Sequence, residues 1–177
     1  RATGSGAAHR RDDRRARRRG IGLSETLDAA VAAIASRSEL RPRVGVVLGS
    51  GLGGFADAVS DTVELPYRDI PGWPASTAIG HAGKLVLGGF GEVPVAVMKG
   101  RAHLYEGLSP ADVVFGVRVL GRLGVRSLVL TNACGTIDPS IEPGTLVAIA
   151  DHLNLQGSSP LVGPNDETLG PRFPDMS

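Results

Sequence analysis

Three short apolar runs in this chain each break off into small and polar residues. R-V-G-V-V-L at Arg43–Leu48 gives way to G-S-G-L-G-G, V-P-V-A-V-M at Val93–Met98 to K-G-R-A-H-L-Y-E-G, and S-L-V-L-T at Ser127–Thr131 to N-A-C-G-T. Runs this short and this rich in valine and leucine predict strands covered on both faces. Helical patterns lie between and before them. Leu27, Val31 and Ile34 share one face of a helix predicted from a Ser24 cap to about Ser36. Ser109 caps a second helix, with Pro110 in its first position, predicted to run to Leu123. Phe55–Val59 reads as a helix start, and Glu64–Pro74, with three prolines, as loop or edge. Lys84–Leu87 and Val93–Met98 are predicted strands joined by a turn at Gly88–Gly91, and Thr145–Ala150 is a further predicted strand. Strands alternating with helices predict an α/β fold with a mostly parallel or mixed central sheet flanked by helices. Such sheets bind ligands beyond the carboxyl ends of their strands, and the three polar clusters begin there.

Charge divides the 177 residues unevenly. The first 20 hold eight arginines and two aspartates, while the other 157 carry 11 basic and 16 acidic side chains. Residues 1–20 lack the apolar surface to offset the entropy of ordering and are expected to be a disordered basic head, with residues 21–177 forming the domain. A nucleic-acid or anionic-membrane arm and a transit peptide are alternative readings of the head, the latter at odds with Asp12 and Asp13. The acidic body argues against nucleic acid as the main partner. The longest stretches without Asp, Glu, Lys or Arg are 14 residues, Ile70–Gly83 and His152–Asn165, too short and too polar for a spanning helix. A single cysteine, Cys134, excludes an internal disulfide framework. With no signal peptide in view, this points to the cytoplasm.

The first cluster, Gly49–Gly54, fits an anion site if a helix opens behind it, because amide hydrogens and the helix dipole then face one point and Ser50 adds a hydroxyl. It equally fits the G-x-G-x-x-G spacing of a dinucleotide turn, with Asp69 as a loose match to the expected acid, or a tight turn with no ligand. In the second, Arg101, His103 and Tyr105 share a face if the chain stays extended. A guanidinium fork and an imidazole together suit phosphate, and Tyr105 suits a sugar hydroxyl. Glu106 then points elsewhere, unless the chain has already turned, in which case it orients a neighbour or a water. In the third, Thr131–Thr136, small residues allow backbone amides to approach a ligand; Asn132 ties the turn, and Cys134 reads as a small packed side chain rather than a nucleophile. His81, in G-H-A-G-K, is either at a site entrance or merely solvated. The histidines have no metal-ligand spacing. These residues point to a phosphate-sized anion site but name no reaction.

The strings G-S-G-L-G, G-H-A-G-K, K-G-R-A-H-L-Y-E-G, L-V-L-T-N-A-C-G-T-I, D-H-L-N-L and P-L-V-G-P-N-D resemble, in order and approximate spacing, the trimeric purine nucleoside phosphorylase family of bacterial type, from about Leu23 to Ser177. The resemblance implies attack of inorganic phosphate on the anomeric carbon of a purine ribonucleoside or deoxyribonucleoside, releasing the base and the sugar 1-phosphate in purine salvage. Phosphate is then a co-substrate; no cofactor and no metal is implied. By motif, Ser50, His81, Arg101, His103 and the Ala133 amide would bind phosphate, with His103 and Glu106 the catalytic pair. Tyr105, Ala133, Cys134 and Gly135 would border the nucleoside. The family also implies a homotrimer, and no nucleic acid or membrane as partner.

Two departures accompany the likeness. The family's purine-recognising Asn and Glu lie carboxyl-terminal to anything matched here, so the chain is expected to be a partial domain. As a fragment it is expected to be inactive or aggregation-prone by itself, with base preference unread. The loop Gln156–Leu161 is shorter than in vertebrate members and lacks their phenylalanine. Competing readings are a methylthioadenosine phosphorylase, a dinucleotide-dependent oxidoreductase built on Gly49–Gly54, and a non-catalytic truncated relic.

Overall fold

The computed structural model describes residues 22–75, 83–173 and 175. The basic head and His81 lie outside the described residues. The chain forms two compact units, dividing between Asn132 and Ala133.

The first unit is built on a five-stranded sheet. Its strands are β1 (Val44–Leu48), β2 (Ser60–Pro66), β3 (Lys84–Phe90), β4 (Val93–Lys99) and β5 (Ser127–Leu130), in the spatial order β2-β3-β4-β1-β5. β1 runs parallel to β4 on one side and to β5 on the other, while β2, β3 and β4 form an antiparallel meander. The sheet is therefore mixed. Its parallel part is the three strands whose ends carry the polar clusters.

Side-chain alternation sorts the two faces. Val46 and Leu48 of β1, Val86 of β3, and Val95 and Val97 of β4 share a cluster with Ala56 and Val59. The opposite face is covered by α1 (Leu23–Ala35) and α3 (Phe115–Arg122), which bury Leu27, Ala30, Ile34, Phe115, Val119 and Leu120. Arg122 pins these two helices together, donating Nη2–H to Ser24 Oγ at 3.0 Å and lying 3.6 Å from Asp28. Gly116 lets α3 sit close: a Cβ there would come within 2.7 Å of both Met98 Cε and Trp73 Cζ2.

Several sequence expectations are corrected. α1 begins at Leu23 after Gly22, whose amide donates to Glu25 Oε2 at 3.2 Å, so Ser24 is not the cap but a partner of Arg122. The predicted helix from Pro110 breaks into α2 (Pro110–Val113) and α3, with Val114 at φ −87° and ψ 0°. Val113, Val114 and Gly116 are weak helix formers crowded at the break, while the Ser109 cap holds, accepting from the Asp112 amide. The turn between β3 and β4 is Gly91–Glu92; Gly88 and Gly89 lie within β3. A side chain at Gly88 would collide with the Ser60 carbonyl on β2. The helix start at Phe55 is a short 3₁₀ helix, Gly53–Ala58.

The second unit, residues 133–175, has no strand or helix among its described residues, so Thr145–Ala150 is not a strand. Its order is local, made of turns such as the one closed by Asp138 Oδ1 on the amide and hydroxyl of Ser140 at 2.9 and 2.7 Å. Arg172 Nη1 reaches the Leu161 carbonyl at 2.9 Å, and its Nη2 bonds the Gly163 carbonyl.

Candidate functional site at the strand ends

Thr131, the first residue past β5, joins the ends of the parallel strands. Its hydroxyl accepts the Gly49 amide hydrogen at 2.8 Å and donates to the Val47 carbonyl at 2.9 Å. Its own amide donates to that carbonyl at 3.0 Å. Its carbonyl in turn accepts Arg101 Nη1–H at 2.9 Å. One threonine thus links the residue before Ser50 to the guanidinium that follows β4. The approach is close enough to require glycine: a Cβ on Gly49 would sit 2.8 Å from the Thr131 carbonyl oxygen and 3.0 Å from Asn132 Cα.

The loop after β1 is a tight turn, with Leu52 N–H bonded to the Gly49 carbonyl and Gly51 at φ +83°. Ser50 is exposed there. No α-helix follows; the six-residue 3₁₀ helix Gly53–Ala58 does. The dipole of a full helix, on which the anion reading of this turn partly relied, is therefore missing. So is the strand–turn–helix context of a dinucleotide fingerprint, and Asp69 lies in a separate 3₁₀ turn, 3.7 Å from Arg68. The dinucleotide reading of Gly49–Gly54 is overturned on this geometry.

After β4 the chain does not stay extended. Gly100, at φ +100°, turns it out of the strand, and Leu104–Glu106 closes a 3₁₀ turn ended by Gly107 at φ +81°. Glu106 folds back on His103. Its Oε1 accepts the His103 amide at 2.8 Å and lies 2.9 Å from Nδ1, with the carboxylate side chain 4% exposed and the imidazole 20%. The ring is thus gripped at Nδ1. Tyr105 stacks on the imidazole with ring centroids 4.6 Å apart and is itself 77% exposed. The expected common face of Arg101, His103 and Tyr105 is replaced by this turn, which still brings the histidine and tyrosine rings together. The alternative in which Glu106 orients a neighbour is the one realised.

Ala133, Cys134 and Gly135 belong to the second unit, where all three are exposed. Cys134 is a free thiol at the surface rather than a packed side chain. Among the described residues no group of three or more His, Cys, Asp or Glu is placed to hold a metal, and no helix is long and apolar enough to cross a membrane. Two residues of the site region were not singled out from the sequence. In the sequence Thr131 marks only the start of a cluster, although a threonine at a strand's last position before small residues has a hydroxyl within reach of the adjacent strand end. Tyr67 stands in the proline-rich stretch Glu64–Pro74 beside Leu65, Ile70 and Trp73, all of them buried.

Known proteins carry the same pattern. Purine nucleoside phosphorylase 1 of Geobacillus stearothermophilus is 53% identical over 136 residues, 77% of this chain and 50% of that protein. Purine nucleoside phosphorylase 1 of Bacillus subtilis is 46% identical over 155 residues, 88% of this chain and 57% of that protein. Isoform 2 of the Schistosoma mansoni purine nucleoside phosphorylase, crystallised with cytosine and ribose-1-phosphate, superposes with a TM-score of 0.79 at 39% identity, covering 86% of this chain and 54% of that one. The chain spans about half the length of the curated relatives it matches. The family model of the phosphorylase superfamily matches residues 43–177, and with its strand order, its three linked strand ends and these relatives the chain belongs to that superfamily.

Proposed function

We propose that this protein serves the phosphorolysis of purine nucleosides, with inorganic phosphate as co-substrate and a free purine base and (deoxy)ribose 1-phosphate as products. The observation that carries the reading is the Thr131 junction, which sets the Gly49–Ser50 turn and the Arg101 guanidinium against each other at the carboxyl ends of β1, β4 and β5. Amides, a hydroxyl and a guanidinium are the donors that a phosphate dianion needs.

Cleaving the N-glycosidic bond builds positive charge on the sugar and negative charge on the leaving base. A dianion held beneath the ring offsets the first charge and is also the nucleophile: a phosphate oxygen forms the new bond to the anomeric carbon as the bond to the base nitrogen breaks, and that nitrogen takes the electron pair. In this reading Ser50 and Arg101 hold the phosphate. His103, fixed by Glu106, offers it an imidazole edge; by the motifs alone, His81 and the Ala133 amide would be further contacts, and Tyr105, Ala133, Cys134 and Gly135 would border the nucleoside. The homotrimer implied by the motifs belongs to the same proposal, as does the cytoplasmic location expected from the sequence.

The test is phosphate-dependent release of hypoxanthine from inosine by the natural polypeptide that contains this sequence. Methylthioadenosine is the competing substrate, and sedimentation reports the assembly. Release that saturates with phosphate, prefers inosine and is weakened in phosphate affinity by Arg101→Ala supports the reading. Base release indifferent to phosphate, or none from inosine, overturns it.

A further inference from the structure

We infer that Tyr67 is a positioning residue for the oxyanion loop after β4, an inference that rests on the phosphorolysis reading above. Tyr67 opens the 3₁₀ turn that follows β2 and is 2% exposed. Its ring stacks on Trp73 at 4.7 Å, and Trp73 meets Phe115 edge-on at 6.3 Å. A buried phenol needs a partner for its hydroxyl. Tyr67 finds it in the Gly100 carbonyl at 2.6 Å, across 33 positions of sequence.

That carbonyl belongs to the pivot of the site. Gly100 is buried and at φ +100°, and the next residue is Arg101, whose guanidinium is tied to Thr131. Two residues further on is His103, held by Glu106. The plane of the Gly100–Arg101 peptide sets the direction in which both side chains leave the strand. The phenol fixes that plane from the core side, and the backbone of Tyr67 is itself anchored, donating its amide to the Gly83 carbonyl at 2.8 Å. Tyr67 need not touch phosphate: it works through the peptide that aims Arg101.

Tyr67→Phe keeps the ring stack and removes only the hydroxyl. In the natural polypeptide we expect the KM for phosphate to rise about tenfold, the scale on which a misplaced binding group acts. The kcat and the KM for inosine should stay within about twofold. Calorimetric titration with inorganic phosphate should show the same loss of affinity without any turnover. Ile34→Val, a core truncation in α1 far along the chain from the pivot, controls for general loosening and should leave the phosphate parameters in place. Equal phosphate affinity in wild type and Tyr67→Phe, or an equal loss in Ile34→Val, overturns the role of Tyr67 while leaving phosphorolysis standing. Phosphate binding by the wild type that weakens in Tyr67→Phe, without base release from inosine, sinks the functional reading and keeps the positioning role. No phosphate binding by the wild type sinks both.

Discussion

Replacing Thr131 by valine keeps shape and β-branching and deletes one hydroxyl, so its cost can be worked from two bonds. The hydroxyl's bond to the Val47 carbonyl is the lesser loss, because that oxygen still accepts the Thr131 amide at 3.0 Å; a bond of this kind is worth about 1 kcal/mol net. The bond from the Gly49 amide is different. Gly49 is buried, and its N–H points at the hydroxyl from 2.8 Å. A methyl group there leaves a buried donor unpaired, which costs about 1–3 kcal/mol. Together the change is expected to destabilise the first unit by roughly 2–4 kcal/mol. Thr131→Ser keeps the hydroxyl and loses a methyl group on a half-buried residue, so its cost should be below about 1 kcal/mol. Equilibrium urea unfolding of the three proteins, read by both midpoint and slope, checks the ranking. A valine variant as stable as wild type, or a serine variant equal to the valine one, would refute the idea that the hydroxyl holds the strand ends.

Gly49→Ala sets a Cβ against backbone atoms of Thr131 and Asn132, which cannot rotate away, so unfolding should show a loss of about 1–3 kcal/mol. Gly45→Ala meets only the methyl ends of Leu128, Leu120 and Val125 and should cost less in the same assay. Burial holds the Tyr67 phenol well above its ordinary 10.0, so its contribution to stability is complete below that pH and declines as pH rises past it; alkaline unfolding of wild type beside Tyr67→Phe should show that component disappear in the variant. The Ser140 hydroxyl, and after it the Ser140 amide, hold the Asp138 carboxyl below its ordinary 3.8, so Ser140→Ala should move its NMR titration back upward. The contribution of that turn is present above the ordinary value and fades as pH falls through the lowered one.

The strands were legible wherever valine and leucine ran together. At Val44–Leu48 and Val93–Lys99 the reason is burial, which writes itself into most residues of the segment; Ser127–Leu130 is a strand too, but an edge strand with all four residues exposed, so the cover expected on both its faces is not there. β2 was less legible: S-D-T-V-E-L-P is an edge with mostly exposed residues and a register shift between Ser60 and Val63. Thr145–Ala150 shows the converse. Its composition suits a strand, yet a strand exists only by pairing, and the described residues of 133–175 form no ladder among themselves. At the site, the Arg101–Glu106 neighbourhood was legible from local sequence alone. What bends it was not: the positive φ of Gly100 and the fold-back of Glu106 are set by partners distant in sequence or by a turn that the extended reading did not contain.

The tether from Gly49 to Thr131 joins positions 82 apart, and β1 takes both of its neighbours, β4 and β5, from later in the chain. A ribosome therefore releases the Ser50 turn long before anything exists to shape it. The Gly49 turn and Arg101 are tied into one arrangement only when Thr131 has cleared the exit tunnel, so the order of these strand ends should arrive late and abruptly during synthesis.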